Sequence, residues 1–232
     1  MTKIDKKLRG IVFDFNGVLL FDAAAQTASW QGMAKNLRGH EMTDEEFTIH
    51  MHGRPNSYVL SYLAGRQIVG QELLDLIQAK ESLYRELCLK DPRAFVLSPG
   101  AGDLLETLTE RQIPRTIATS SEITNVKFFI QHLELGRWFD VATIVYDDGI
   151  RPGKPAPDMY LAAAKNIGLA PSQCVVVEDA ISGIQSANAA GIGHIVALGP
   201  LATHKKLLAC QGVATVIESL EHFPRATLLG AP

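Results

Sequence analysis

Cysteine is scarce in this chain: Cys88, Cys174 and Cys210 are the only three in 232 residues, odd in number and widely spaced. No CxxC pair and no Cys/His ligand spacing occurs, which argues against a zinc site and a disulfide framework. Long apolar runs are missing too, and no stretch approaches the roughly 18 apolar residues of a membrane span. Basic charge is not in excess. Lys+Arg 22 against Asp+Glu 25 gives a net charge of −3, so neither nucleic acid nor an anionic membrane is expected as a partner. The opening MTKIDKKLRG is basic but leads into only a short apolar stretch, without a signal-peptide core or cleavage site; a reducing cytoplasm is the expected compartment. Internal repeats and low-complexity segments are absent. What is present is an ordinary globular composition, 47% apolar and 20% charged. At this length it suits one large domain, or a domain with a small insert, whose core needs no covalent staple.

Short β-branched runs recur at Ile11-Val12-Phe13, Thr116-Ile117-Ala118, Ala142-Thr143-Ile144-Val145, Cys174-Val175-Val176-Val177 and Ile195-Val196-Ala197-Leu198. They are continuous rather than alternating, as in strands covered on both faces. Helical spacing lies between the later ones: Leu104, Leu105 and Leu108; Val126, Phe129, Ile130 and Leu133; Ile181, Ile184 and Ala187, with Gly191 as a stop. Alternating strands and helices imply an α/β fold, a three-layer parallel sheet of Rossmann-like type. Ligands in such sheets bind at the carboxyl ends of the strands.

The spacing breaks once. About a hundred residues separate the first strand from Thr116, and one helix near 99–111 accounts for few of them. The remainder, 22–95, is helical in pattern, with Leu73, Leu74, Ile77, Tyr84 and Leu87 at helical intervals. It is expected to be an inserted helical subdomain acting as a lid, with residues 1–21 and 96–232 forming the α/β core.

Four strand ends carry chemistry. Asp14-Phe15-Asn16-Gly17-Val18 follows the first strand; alone, it reads equally as a capping turn. Thr119-Ser120-Ser121 closes the second and offers hydroxyls before a helix, either as a phosphate cradle or with Ser121 as the helix cap. Lys154 stands between prolines in Gly153-Lys154-Pro155-Ala156-Pro157-Asp158, a positioned cation or a surface turn. Glu178-Asp179 ends the Val-rich run, where two neighbouring carboxylates repel unless a cation intervenes. Each signal is modest alone. Together, in this order, they converge on one crevice.

The stretches FDFNGVL, ATSS, GKPAPD and VEDAISGIQSANAAGI resemble the four motifs of the haloacid dehalogenase superfamily of aspartyl-nucleophile hydrolases. The insert resembles the helical cap of the subgroup that holds β-phosphoglucomutase and small sugar- or polyol-phosphate phosphatases. The resemblance implies that Asp14 is the nucleophile, forming an aspartyl phosphate. It implies Mg²⁺ held by Asp14, the Asn16 carbonyl and Asp179, with Glu178 ligating directly or through water. Thr119, with Ser120, would bind the phosphoryl oxygens, and Lys154 would pair with both nucleophile and phosphoryl group. The expected substrate is a small phosphorylated metabolite, and the expected assembly a monomer or homodimer.

One position departs from that pattern. Two residues after the nucleophile, the family's phosphatases and mutases carry an Asp that protonates the leaving oxygen; here it is Asn16, and an amide cannot do so near neutral pH. Losing a general acid costs about 10²–10⁴-fold in rate. The alternatives are an attenuated phosphatase, a weak phosphometabolite-binding protein, or a phosphonatase or phosphomutase type. In the insert, His52, Gly53 and Arg54 resemble a substrate-specificity loop, and Gln26 stands where the mutase carries a histidine.

Overall fold

The computed structural model describes residues 8–51 and 56–229. The chain divides into two compact units, Met1–Phe21 with Val96–Pro232, and Asp22–Phe95. Strands β1 (Gly10–Phe13), β2 (Arg115–Glu122), β3 (Val145–Asp147), β4 (Cys174–Glu178), β5 (His194–Leu198) and β6 (Val213–Ile217) form one sheet in the first unit. Their order is β3-β2-β1-β4-β5-β6 and every pairing is parallel. Helices α1 (Ala23–Arg38), α2 (Asp44–His50), α3 (Asn56–Ala64) and α4 (Gly70–Lys90) belong to the second unit. In the first, α5 (Ala101–Glu110), α6 (Ile123–His132), α7 (Asp158–Asn166) and α8 (Ile181–Ala189) flank the sheet.

Register decides where the chemistry falls. Val12 pairs with Thr116 on one side and Val176 on the other; Phe13 pairs with Ile117 and Val177. Side chains alternate across a sheet. Val12 and Val176 pack with Met159, Tyr160 and Ala163 of α7 and Ile184 and Ala187 of α8, while Phe13 meets Phe139 edge-on. Two residues beyond Val12 and Val176 stand Asp14 and Glu178, which therefore return to the α7 and α8 side. Asp179, one step further, is free to turn the other way.

Two expectations need correction. Ala142–Val145 is not one strand: a 3₁₀ turn spans Val141–Thr143 and β3 begins at Val145. Asp140 and Thr143 explain the change. The Asp140 carboxylate accepts from the Ala142 N–H, and the Thr143 hydroxyl bonds to the Asp140 carbonyl at 2.7 Å and to Thr116 Oγ1 at 2.9 Å. Such local bonds compete with a strand ladder. Conversely, β6 forms where no strand was foreseen; it is a half-exposed edge and lacks a continuous buried run.

The second unit has its own core around Trp30, Met33, Met42, Val59, Leu60 and Leu63. A capping box opens α2, in which Thr43 Oγ1 accepts from the Glu46 N–H and Glu46 Oε2 from the Thr43 N–H. The expected apolar stripe of α4 is only partly right. Leu74 is exposed, and the helix buries Lys80, Glu81, Tyr84 and Cys88. The Lys80 ammonium bonds Gln26 Oε1 at 2.9 Å and Glu81 Oε1 at 3.0 Å and lies over the Trp30 ring. A paired, hydrogen-bonded charge tolerates burial that a lone one does not.

Candidate active site

Lys154 is the hub. Its Nζ donates to Asp14 Oδ1 at 2.5 Å, to Glu178 Oε1 at 2.6 Å and to the Ala118 carbonyl at 3.2 Å. All three side chains of this triad are nearly sealed from solvent, Lys154 at 6%, Asp14 at 10% and Glu178 at 1% exposure. The loop before α7 thus sends one cation across the ends of β1, β2 and β4.

The carboxylates that look adjacent in sequence face different partners. Glu178 Oε1 also accepts from the Tyr160 hydroxyl at 3.0 Å, and Oε2 accepts from the Ala180 N–H at 2.8 Å. Glu178, counted among the metal carboxylates on sequence, therefore has both oxygens engaged by the protein. Asp179 instead lies against Gly17. Gly17 has φ 83°, and a Cβ there would sit 2.1 Å from Asp179 Oδ2. Glycine thus serves both the left-handed turn and the close approach of this carboxylate to the backbone beside Asn16.

Asn16 Oδ1 accepts from the Ser121 hydroxyl at 2.8 Å. Ser121 is thus drawn to Asn16, and the helix-cap role expected of it falls to Glu122, whose carboxylate accepts from the Thr124 and Asn125 N–H groups. Thr119 is buried, with its Oγ1 accepting from the Ser121 N–H at 3.1 Å; Ser120 is exposed. His52, Gly53 and Arg54 lie outside the described residues.

Electrostatics follow from three carboxylates facing one ammonium. Burial pushes Asp14 up to about 7; Lys154 opposes the rise and Glu178 adds to it. Burial, then the negative charges of Asp14 and Glu178, push Asp179 up to about 8. Burial pulls on the Lys154 ammonium, but Asp14 and Glu178 outweigh it and hold its pKa well above the ordinary value. The site is therefore a fixed cation amid surplus negative charge. The oxygen donors gathered here, the Asp14 and Asp179 carboxylates and the neighbouring Asn16 carbonyl, are of the hard type that suits Mg²⁺. Among the described residues no three His, Cys, Asp or Glu side chains converge on a metal, so a cation here would need that carbonyl, substrate or water as well.

Tyr160 and Gly183 were not singled out on sequence. Tyr160 is fully buried, and its ring lies 5.0 Å from the Lys154 Nζ. A hydroxyl within the apolar stripe Met159-Tyr160-Ala163 was the available signal. Gly183 lets α8 pass over Glu178: a Cβ there would lie 1.5 Å from Glu178 Oε1. Gly183→Ala is expected to shift Glu178, cost about 1–3 kcal/mol of stability and loosen Lys154; urea unfolding alongside turnover tests this, and unchanged values for both refute it.

Residues 8–191 match the family of haloacid dehalogenase-like hydrolases. The chain is 31% identical to hexitol phosphatase A of Escherichia coli over 93% of each chain. It is 28% identical to a fructose-1-phosphate phosphatase of the same organism, over 82% of this chain and 96% of that one. The crystal structure of a HAD hydrolase, family IA, variant 3, from Entamoeba histolytica superposes with a TM-score of 0.89 at 36% identity, covering 95% of this chain and 98% of that one.

Proposed function

Because the chain belongs to the haloacid dehalogenase-like hydrolase family, we propose that it hydrolyses the phosphate monoesters of small sugars or polyols through Asp14. The observation that carries this reading is the Lys154 bridge between Asp14 and Glu178 at the strand ends. The relatives' names, a hexitol phosphatase and a fructose-1-phosphate phosphatase, supply the substrate class.

In this reading an Asp14 carboxylate oxygen attacks phosphorus and takes the phosphoryl group. Lys154 holds Asp14 in place and offsets the charge of the incoming phosphate. The Thr119 hydroxyl, whose oxygen already accepts from Ser121, directs its proton to a phosphoryl oxygen. Asp14, the Asn16 carbonyl and Asp179 would hold Mg²⁺, which supplies positive charge against the phosphate oxygens. Glu178 acts through Lys154, with Tyr160 and Ala180 fixing its orientation. The unit 22–95 is assigned the cap role, excluding bulk water and selecting the metabolite, with His52, Gly53 and Arg54 as its contact loop.

Asn16 favours one second reading, a phosphometabolite-binding protein with weak turnover. Assays of aryl phosphate and of hexitol and hexose phosphates, with Mg²⁺ and with chelator, separate the two. Metal-dependent phosphate release is expected. Binding without release above background would establish the second reading instead.

A further inference from the structure

We propose that breakdown of phosphorylated Asp14, rather than cleavage of the ester, limits turnover whenever the leaving group is good, so that the chain accumulates as its aspartyl phosphate. This rests on the function proposed above and extends it to the enzyme's state under substrate.

The two half-reactions make different demands. In the first, an Asp14 oxygen forms a bond to phosphorus as the bond from phosphorus to the leaving oxygen breaks. The leaving group departs with the bonding pair, and an aryl oxide is stable enough to leave without a proton. In the second, a water oxygen forms a bond to phosphorus, the bond from phosphorus to Asp14 breaks, and Asp14 recovers its pair. One water proton must then pass to a base. The first half-reaction with such a substrate needs charge and alignment only; the second needs a proton acceptor.

Among the described residues, the groups bonded to Asp14 or beside it offer none. Lys154 is a cation held by two carboxylates. Glu178 has one oxygen on Lys154 and Tyr160 and the other on the Ala180 N–H. Tyr160 is buried and keeps its proton, with its hydroxyl donating a hydrogen bond to Glu178. Asp179 is assigned to the cation. Asn16 is an amide whose oxygen already accepts from Ser121, and the Thr119 and Ser121 oxygens are neutral hydroxyls. The core unit is thus equipped to form the acyl phosphate and poorly equipped to hydrolyse it.

The test mixes the full chain rapidly with Mg²⁺ and para-nitrophenyl phosphate, following nitrophenolate and inorganic phosphate separately, with acid-quenched samples weighed by intact mass spectrometry. The expected result is a burst of about one nitrophenolate per chain, then a steady rate slower by about 10²-fold or more. Phosphate should lag, and the quenched chain should carry one added phosphoryl group. Asp14→Asn should show neither burst nor added mass, and Asn16→Asp should remove the burst by speeding the second half-reaction. Nitrophenolate and phosphate released in step from the first turnover, with no phosphorylated chain, would overturn the inference while leaving the hydrolase reading intact. That outcome would mean that a group other than those named accepts the proton. A burst without added mass, or one that survives Asn16→Asp, overturns it as well, because product release would then be limiting. Absence of nitrophenolate release in any phase removes both the hydrolase reading and this one.

Discussion

Asp14→Asn lowers turnover of phosphate monoesters on the order of 10⁴- to 10⁶-fold while leaving the fold at least as stable. The amide has the shape of the carboxyl it replaces, and its oxygen can still accept from Lys154, now 2.5 Å from Asp14 Oδ1. It is far poorer as a nucleophile, so the covalent step is lost. Stability moves the other way because burial raises the Asp14 pKa to about 7. The sign follows from linkage: a carboxyl that holds its proton more tightly when folded is stabilising below its unfolded pKa, about 3.9. That contribution fades as pH rises through the folded value. Asparagine has no such dependence. In chelator, the variant should therefore gain on the wild-type chain as pH rises from about 4 to about 7. Denaturant midpoints across that range, beside a turnover assay, check both halves. A variant that keeps appreciable metal-dependent turnover would remove Asp14 from its assigned role.

Lys154→Met is the second large effect, and it is expected to strike fold and activity together. Lys154 is the only cation bonded to Asp14 and Glu178 among the described residues, and it is buried with them. Methionine keeps the length of the side chain and removes its charge. Breaking a buried ion pair from one side costs about 3–5 kcal/mol, since the remaining charges stay desolvated. Here two carboxylates remain. Asp14 would hold its proton still more tightly without the ammonium, so the loss should shrink as pH falls toward the ordinary carboxylate range and grow above it. Turnover should fall by at least the 10²–10³-fold typical of a lost charge-stabilising group, roughly 3–4 kcal/mol. Lys154→Arg serves as the control: it restores charge but not shape, and should recover stability more than rate. If Lys154→Met unfolds at the wild-type denaturant concentration at neutral pH, the bridge contributes nothing and the electrostatic account fails.

Where the sequence was legible, the reason is physical. β1, β2, β4 and β5 lie inside the sheet, covered on both faces, and their β-branched runs announce it. β6 is an edge, and its mixed exposure left no such run. The meeting of Asp14, Lys154 and Glu178 was legible because each stands in a short motif, two of them at strand ends and Lys154 in the proline-bracketed loop before α7. The partition of Glu178 from Asp179 was not, because it depends on which side of β4 each falls, and that is set by register with β1. Ser121 misled for a similar reason. A serine before a helix reads as a cap, yet the Glu122 carboxylate takes the N–H groups of the first turn and leaves Ser121 for Asn16. Lys80 and Glu81 defeat hydropathy altogether, because each is buried in a network that joins it to the other and to Gln26 and Asn56.

β1 is flanked by hydrogen-bonded neighbours on both sides, and the Asp14 N–H itself donates to the Val177 carbonyl at 3.0 Å. The reactive carboxylate thus hangs from the stretch of backbone least able to fray. Its amide should trade hydrogen for deuterium only when the molecule comes apart as a whole. Residual activity along a denaturant series then cannot outlast the sheet: whatever becomes of the 22–95 unit, the last activity disappears when β1 parts from its neighbours.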